Sequence, residues 1–210
     1  MKKVMISAVI LSFGCGLLIS SANSFLKERI EKNRRQEFCK RILSTLAISD
    51  SEPESRYLQL FEKAFVFSEN QIQEITPASI LAKEFKAKHF LLIPKNSGQF
   101  VCHIFGKGLW GEMLGFATLD QDFLTLKGLS FYQSNETPGL GAQFTEEKTL
   151  SRFVGKKVDP KKFAVLNTPG VRNEFTVDGI SGATITGKAV ERMLKVELDF
   201  YRQRLGEVSK

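Results

Sequence analysis

The chain has 210 residues, 42% of them hydrophobic and 25% charged, a balance that suits one folded domain with a real core. The net charge is +7, but no basic helix interleaved with aromatics and no nucleic-acid-binding signature accompanies it, which argues against a nucleic-acid partner. With two His, three Cys and no Cys-x-x-Cys, no zinc or iron–sulfur ligand set can be assembled, so a redox role would need an organic cofactor.

Met1-Lys2-Lys3 precedes an uncharged, mostly apolar run over residues 4–19, followed by Ser20-Ser21-Ala22. Counted to Leu26, the run is long enough to span a bilayer as a helix, although Ser7, Ser12, Gly14 and Gly16 dilute it. The competing reading is a cleaved signal peptide with Ser20-x-Ala22 as its processing site. A lipoprotein reading at Cys15 is poorer, because Phe13 sits where a small residue is wanted. An uncleaved anchor over residues 1–26 is the preferred expectation, and either main reading puts the remainder outside the cytoplasm. Lys2 and Lys3 on one side, and Lys27, Arg29, Lys32, Arg34 and Arg35 on the other, do not set the orientation.

Residues 24–47 continue as helix, with Leu26, Ile30, Phe38, Ile42 and Leu46 near helical spacing. The polar stretch 50–55 interrupts it, and a second helix is expected over 56–65, so that residues 27–89 form a helical connecting region. From residue 90 the period changes to two. Short apolar or alternating runs at 90–94, 99–105, 113–119 and 123–132, separated by turn-rich clusters, predict an antiparallel meander. A helix near 145–154, strands at 163–166 and 174–177, and a last helix from about 186 follow. Val190, Leu194, Leu198, Tyr201 and Leu205 mark one face of that helix. The fold class is α+β, an antiparallel sheet with packed helices, carried by residues 90–210. Cys39 and Cys102 are open to two readings, a pair in an oxidising compartment or two buried thiols.

Three glycine-rich segments are candidates for chemistry. Gly106-Lys107-Gly108-Leu109-Trp110-Gly111 has the letters of a dinucleotide fingerprint. It is followed by a strand-like run and no acidic residue at the required distance, so a hairpin turn is the better reading. Glu136-Thr137-Pro138-Gly139-Leu140-Gly141 has Pro-Gly at the centre of a type II turn. Asp178-Gly179-Ile180-Ser181-Gly182-Ala183-Thr184 ends where the last helix begins, so its amides can face a phosphate at a helix N-terminus. Capping by Ser181, Thr184 or Thr186 is the plainer alternative.

These three motifs, in this order, resemble the FMN-binding domain family. It occurs in the C subunit of the sodium-translocating NADH:quinone reductase and in the G subunit of the Rnf electron-transport complex. The Gly106–Trp110 run (residues 106–110) resembles the quinone-reductase branch, and the likeness covers about residues 106–196. The resemblance implies FMN joined through its phosphate to Thr184 by a separate flavin transferase with FAD as donor, in a component of a bacterial inner-membrane complex. It also implies a flavin domain outside the cytoplasm, other membrane subunits as partners, and no catalytic acid or base. Asp178, Ser181, Gly182, Ala183 and Lys188 would surround the phosphate. Glu136, Thr137, Gly139, Leu140, Gly108, Leu109 and Trp110 would meet the flavin ring. The alternatives are the Rnf protein and, in another class, a membrane-tethered anion-binding module without flavin.

Overall fold

The structure is a computed structural model that describes residues 2–68, 71–82, 88–167 and 172–208. Parts of the expected connecting region, 69–70 and 83–87, lie outside the described residues. The chain divides into two compact units, Met1–Gln36 and Glu37–Lys210. Helix α1 (Lys2–Ser44) runs through the first unit and supplies the opening of the second. In the first unit Val9, Ile10, Phe13, Leu17, Leu18 and Ile19 are all exposed, and the helix contains a stretch long and apolar enough to cross a membrane.

The second unit is built on a six-stranded antiparallel sheet. Its strands are β1 (Phe61–Phe67), β2 (Ile72–Ile75), β3 (His89–Pro94), β4 (Phe100–Lys107), β5 (Glu112–Leu119) and β6 (Leu126–Gln133), in the order β2-β1-β3-β4-β5-β6. The meander expected from residue 90 is therefore present, and two further strands extend it. The helix expected over 56–65 is corrected: α2 (Pro53–Leu60) ends at Leu60, and the chain turns into β1. Buried residues in β1 fall at intervals of three, at Phe61, Ala64 and Phe67: a bulge between Phe61 and Lys63 keeps Phe61 and Ala64 in one core, and Phe67 points into the core on the opposite face. That spacing imitates a helix, although pairing to β2 and β3 keeps the segment extended.

Both faces of the sheet are covered. On one face lie Cys39 and Ile42 from the end of α1, Tyr57 of α2 and Ile80 of α3 (Pro77–Ala82), against Phe90, Val101 and Phe116. On the other lies the last helix, α5 (Thr184–Val208), with Val190, Leu194, Leu198, Tyr201 and Leu205 all buried as the sequence periodicity predicts. This face also holds Phe144 and Phe153 from the stretch of 3-10 turns (Gly141–Thr145, Ser151–Phe153) around short α4 (Glu147–Leu150), and Phe163 from the loop that follows. The strands expected at 163–166 and 174–177 form a separate pair, β7 (Ala164–Leu166) and β8 (Thr176–Asp178), and this pair is parallel. Cys39 and Cys102 belong to cores on opposite faces and are not joined by a disulfide, which decides for two buried thiols.

Polar contacts lock each layer in place. Thr118 donates its hydroxyl to Thr45 at 2.6 Å, and Ser130 donates to the Arg41 carbonyl at 2.7 Å. Gly128 is required beneath them, because a Cβ there would collide with the Thr45 carbonyl. On the α5 side, the β3–β4 ladder pairs only Leu91 with Cys102 and Leu92 with Val101. Just beyond it, the Tyr201 hydroxyl bridges the carbonyls of Phe90 and His103 at 3.0 and 2.7 Å, satisfying acceptors the ladder leaves open. The His103 ring stacks on Phe90 and is held by the Lys88 carbonyl at 2.7 Å and the Tyr132 hydroxyl at 2.9 Å.

Burial pushes the His103 pKa down to about 4; the bond to the Lys88 carbonyl opposes this, and His89 adds a smaller downward push. Between about pH 6.5 and that value the unfolded chain binds a proton that the folded chain refuses, so stability is complete above the window and lost as pH falls through it. The loss should reach about 3 kcal/mol at the acid end. Urea unfolding of wild type and His103→Gln across the window is the check. The variant should be less stable at neutral pH but should lose less on acidification, and parallel curves would contradict the assignment.

Candidate functional site

The three glycine-rich segments converge at one end of the sheet. The first is the β4–β5 hairpin turn, closed by the Lys107–Glu112 pairing and by a bond from the Gly108 amide to the Gly111 carbonyl at 2.8 Å. The turn leaves Leu109 and Trp110 pointing outward, and Trp110, the only Trp of the chain, is 68% exposed. In the second segment the Leu140 amide donates to the Thr137 carbonyl at 3.1 Å across Pro138-Gly139. Gly139 has φ +75°, as the third residue of a type II turn demands. In the third, the Ala183 amide donates to the Ile180 carbonyl at 3.0 Å, Gly182 takes φ +78°, and α5 opens at Thr184.

One side chain joins all three. Glu136 is 6% exposed; its Oε1 accepts the amides of Leu109 at 2.8 Å and Trp110 at 3.0 Å, and its Oε2 accepts the Thr186 hydroxyl at 2.6 Å. Two glycines make room for it. A Cβ on Gly108 would collide with Glu136 Oε1, and one on Gly141 would lie 2.5 Å from Thr186 Oγ1 and 2.7 Å from Glu136 Oε2. Glycine is needed at these positions for space, since neither has a positive φ.

The convergence leaves a cleft of about 350 Å³, within the range of small-molecule sites. Leu109, Trp110 and Leu140, the loop residues Gly182 and Ala183, and Thr184 to Thr186 at the start of α5 line it, together with the buried Glu136 and Gly141 and the exposed Thr137. Leu109, Trp110, Leu140 and Ile185 are large apolar side chains left exposed around it. The first amides of a helix have no intrahelical acceptor, and those of Thr184, Ile185 and Thr186 belong to residues that line this cleft. Thr184 is exposed, while Thr186 is 1% exposed with its hydroxyl committed to Glu136. An elongated ligand with an anionic group at the helix start and a flat apolar body between the exposed side chains fits these residues.

Of the residues singled out from sequence, Gly182, Ala183, Thr184, Glu136, Thr137, Leu140, Leu109 and Trp110 line the cleft. Gly108 and Gly139 shape the turns without lining it. Ser181 is exposed on the loop outside the lining. Asp178 ends β8 in an ion pair with Arg172 at 2.8 Å, and Lys188 pairs with Glu191 at 2.8 Å. Burial raises the Glu191 pKa, but bonds from Lys188, the Val165 amide and Lys195 outweigh it and hold the carboxyl below its ordinary value. Gly141, at the end of the turn over residues 136–141, also lines the cleft; Ile185 and Thr186 line it without having been assigned to the ligand from sequence. Thr186 sits at the edge of a motif already recognised; Ile185 carried no signal, since helix-start exposure depends on the packing of α5.

Residues 108–199 match the model of the FMN-binding domain. The C subunit of the Na(+)-translocating NADH-quinone reductase of Haemophilus ducreyi is 27% identical, over 89% of this chain and 85% of that protein. The protein of the same name from Neisseria meningitidis is 37% identical over 45% of this chain and 38% of its own length. The crystal structure of the corresponding Na(+)-translocating NADH-quinone reductase C subunit from Parabacteroides distasonis superposes with a TM-score of 0.68 at 31% identity, covering 85% of this chain and 94% of that one.

The close packing at Gly141 has a direct consequence. Gly141→Ala should force Thr186 and Glu136 apart and lower stability by about 1–3 kcal/mol, as overpacking does. Thermal unfolding followed by Trp110 fluorescence measures it, and a variant as stable as wild type would show that the contact yields freely.

Proposed function

The chain belongs to the family of the C subunits of the Na(+)-translocating NADH-quinone reductases, and on that premise we propose that it is the FMN-carrying subunit of a membrane-bound, ion-translocating oxidoreductase, with the flavin phosphate esterified to Thr184. The observation that carries the attachment is the contrast between two threonines on one helix start: the Thr184 hydroxyl is open to the cleft, and the Thr186 hydroxyl is buried and bonded to Glu136. The amides of the first turn of α5, and the positive end of its dipole, would hold the phosphate. Leu109, Trp110, Leu140 and Ile185 would cover the isoalloxazine, which accounts for four large apolar side chains standing exposed around one cleft. When bound, the flavin supplies the one- and two-electron chemistry that the side chains lack.

An ester linkage suits this geometry. The cleft is partly open to solvent, so burial alone would retain a free flavin less firmly than an ester does. A threonine hydroxyl is a poor nucleophile at neutral pH, and no base among the described residues contacts Thr184, so a separate flavin transferase with FAD as donor makes the bond. The apolar part of α1 lies in the inner membrane, with the flavin domain on the extracytoplasmic side among the other membrane subunits of the complex. An anion-binding module without flavin would have no use for the apolar rim. No observation favours the Rnf protein over the quinone-reductase one.

Intact-mass measurement on protein produced with the transferase tests the attachment. Wild type and Thr186→Val should carry the added flavin mass, and Thr184→Ala should not; a flavin retained in Thr184→Ala would move the linkage elsewhere. Leu140→Asp should keep the mass and lower the flavin potential, on the order of tens of millivolts, because a carboxylate beside the ring disfavours the anionic reduced form. Redox titration reads this, and a wild-type potential would place the ring away from Leu140.

A further inference from the structure

Glu136 is unusual among the carboxylates of the chain, since it is buried, lacks a cationic partner among the described residues, and receives three hydrogen bonds. Its donors lie 26 and 27 residues upstream and 50 residues downstream, so no local turn accounts for it. All three partners donate, which uses the group purely as an acceptor, as the ionised form is. Gly108 and Gly141 leave the volume that its two oxygens fill. A buried carboxylate is costly to desolvate, and a hydrophobic side chain of like size would seal the base of the cleft more cheaply. Charge and acceptor geometry are what Glu136 adds.

We propose that Glu136 is the positioning residue of this cleft: its carboxylate holds the hairpin carrying Trp110 and the helix start carrying Thr184 at a fixed separation, so that a bound ring has one pose and one negative charge beside it. The part of this that concerns a ring rests on the FMN reading. The part that concerns the walls does not, because the three hydrogen bonds run between groups of the chain itself. Glu136→Gln separates the two. The Gln carbonyl still accepts both hairpin amides and its NH2 group can donate to Thr186 Oγ1, so geometry is kept while the charge is removed. Glu136→Ala removes both and orphans two amides.

The test uses the full chain in detergent, first without flavin. Trp110, as the only Trp, reports on the hairpin alone through time-resolved fluorescence anisotropy, which sees nanosecond loop motion. Glu136→Ala should lose residual anisotropy, and Glu136→Gln should retain it. Should Glu136→Ala fail to fold, Thr186→Val removes one bond of the three and should show a partial loss. Wild-type anisotropy in Glu136→Ala, or in Thr186→Val where that variant stands in, overturns the proposal. In flavin-loaded protein, Glu136→Gln should shift the midpoint potential upward, a change that a merely structural residue would not produce; an unshifted potential also overturns it. Absence of flavin mass from wild type would sink the FMN reading while leaving the anisotropy result to judge Glu136.

Discussion

Three hydrogen bonds to one buried carboxylate tie the start of the last helix to two neighbouring segments at one end of the sheet. Glu136 follows β6, Leu109 and Trp110 sit in the β4–β5 turn, and Thr186 is in the first turn of α5. Hydrogen bonds to a charged group contribute about 1.5–3 kcal/mol each, enough to offset much of the desolvation of the carboxylate. The cost of losing one partner is larger than the mean gain, since a buried acceptor or donor would then stand unsatisfied. The glycines at 108 and 141 belong to the same constraint, because any larger residue would occupy the space of the oxygens.

The position of α5 makes this convergence possible. Its apolar face packs on the sheet through Val190, Leu194, Leu198 and Tyr201, and the Tyr201 hydroxyl reaches the carbonyls where β3 and β4 part. Gly187 lets the first turns approach closely: a Cβ there would stand 3.0 Å from Phe144 and 3.3 Å from Val165. Glu191 adds a second tie, accepting the Val165 amide while Lys188 and Lys195 neutralise it. The helix start is therefore held from below by packing and from the side by polar bonds, leaving Thr184 and Ile185 outward.

The site needs little chemical machinery of its own. Its residues supply a hydroxyl, a set of amides, an apolar rim and a fixed carboxylate, and the described residues contain no cluster of His, Cys, Asp or Glu fit to hold a metal. The buried His103 lies in the sheet, bonded to Lys88 and Tyr132, and serves the fold rather than the cleft. Function in such a protein comes from where the cofactor is held and what stands beside it, more than from proton transfer by side chains.

Much of this was legible in the sequence, and for physical reasons. Glycines that free backbone conformation at 139 and 182, Pro138 before the first of them, and hydroxyl residues at a helix start are local signals. The period of two from residue 90 and the apolar face of α5 survive because burial in a regular element is periodic. The six-stranded extent of the sheet did not survive, since a bulge after Phe61 and burial on both faces of β1 space its buried residues by three. The roles of individual side chains were also out of reach. Lys188 is paired with Glu191 and Asp178 with Arg172, and Glu136 lines the cleft while also accepting hydrogen bonds from the β4–β5 turn and from Thr186, contacts that no local pattern announces. Thr184 and Thr186 are two residues apart on one helix, so their motif distinguishes them by letter alone. Only the packing of α5 against the sheet turns one hydroxyl outward and buries the other against a carboxylate from 50 residues away.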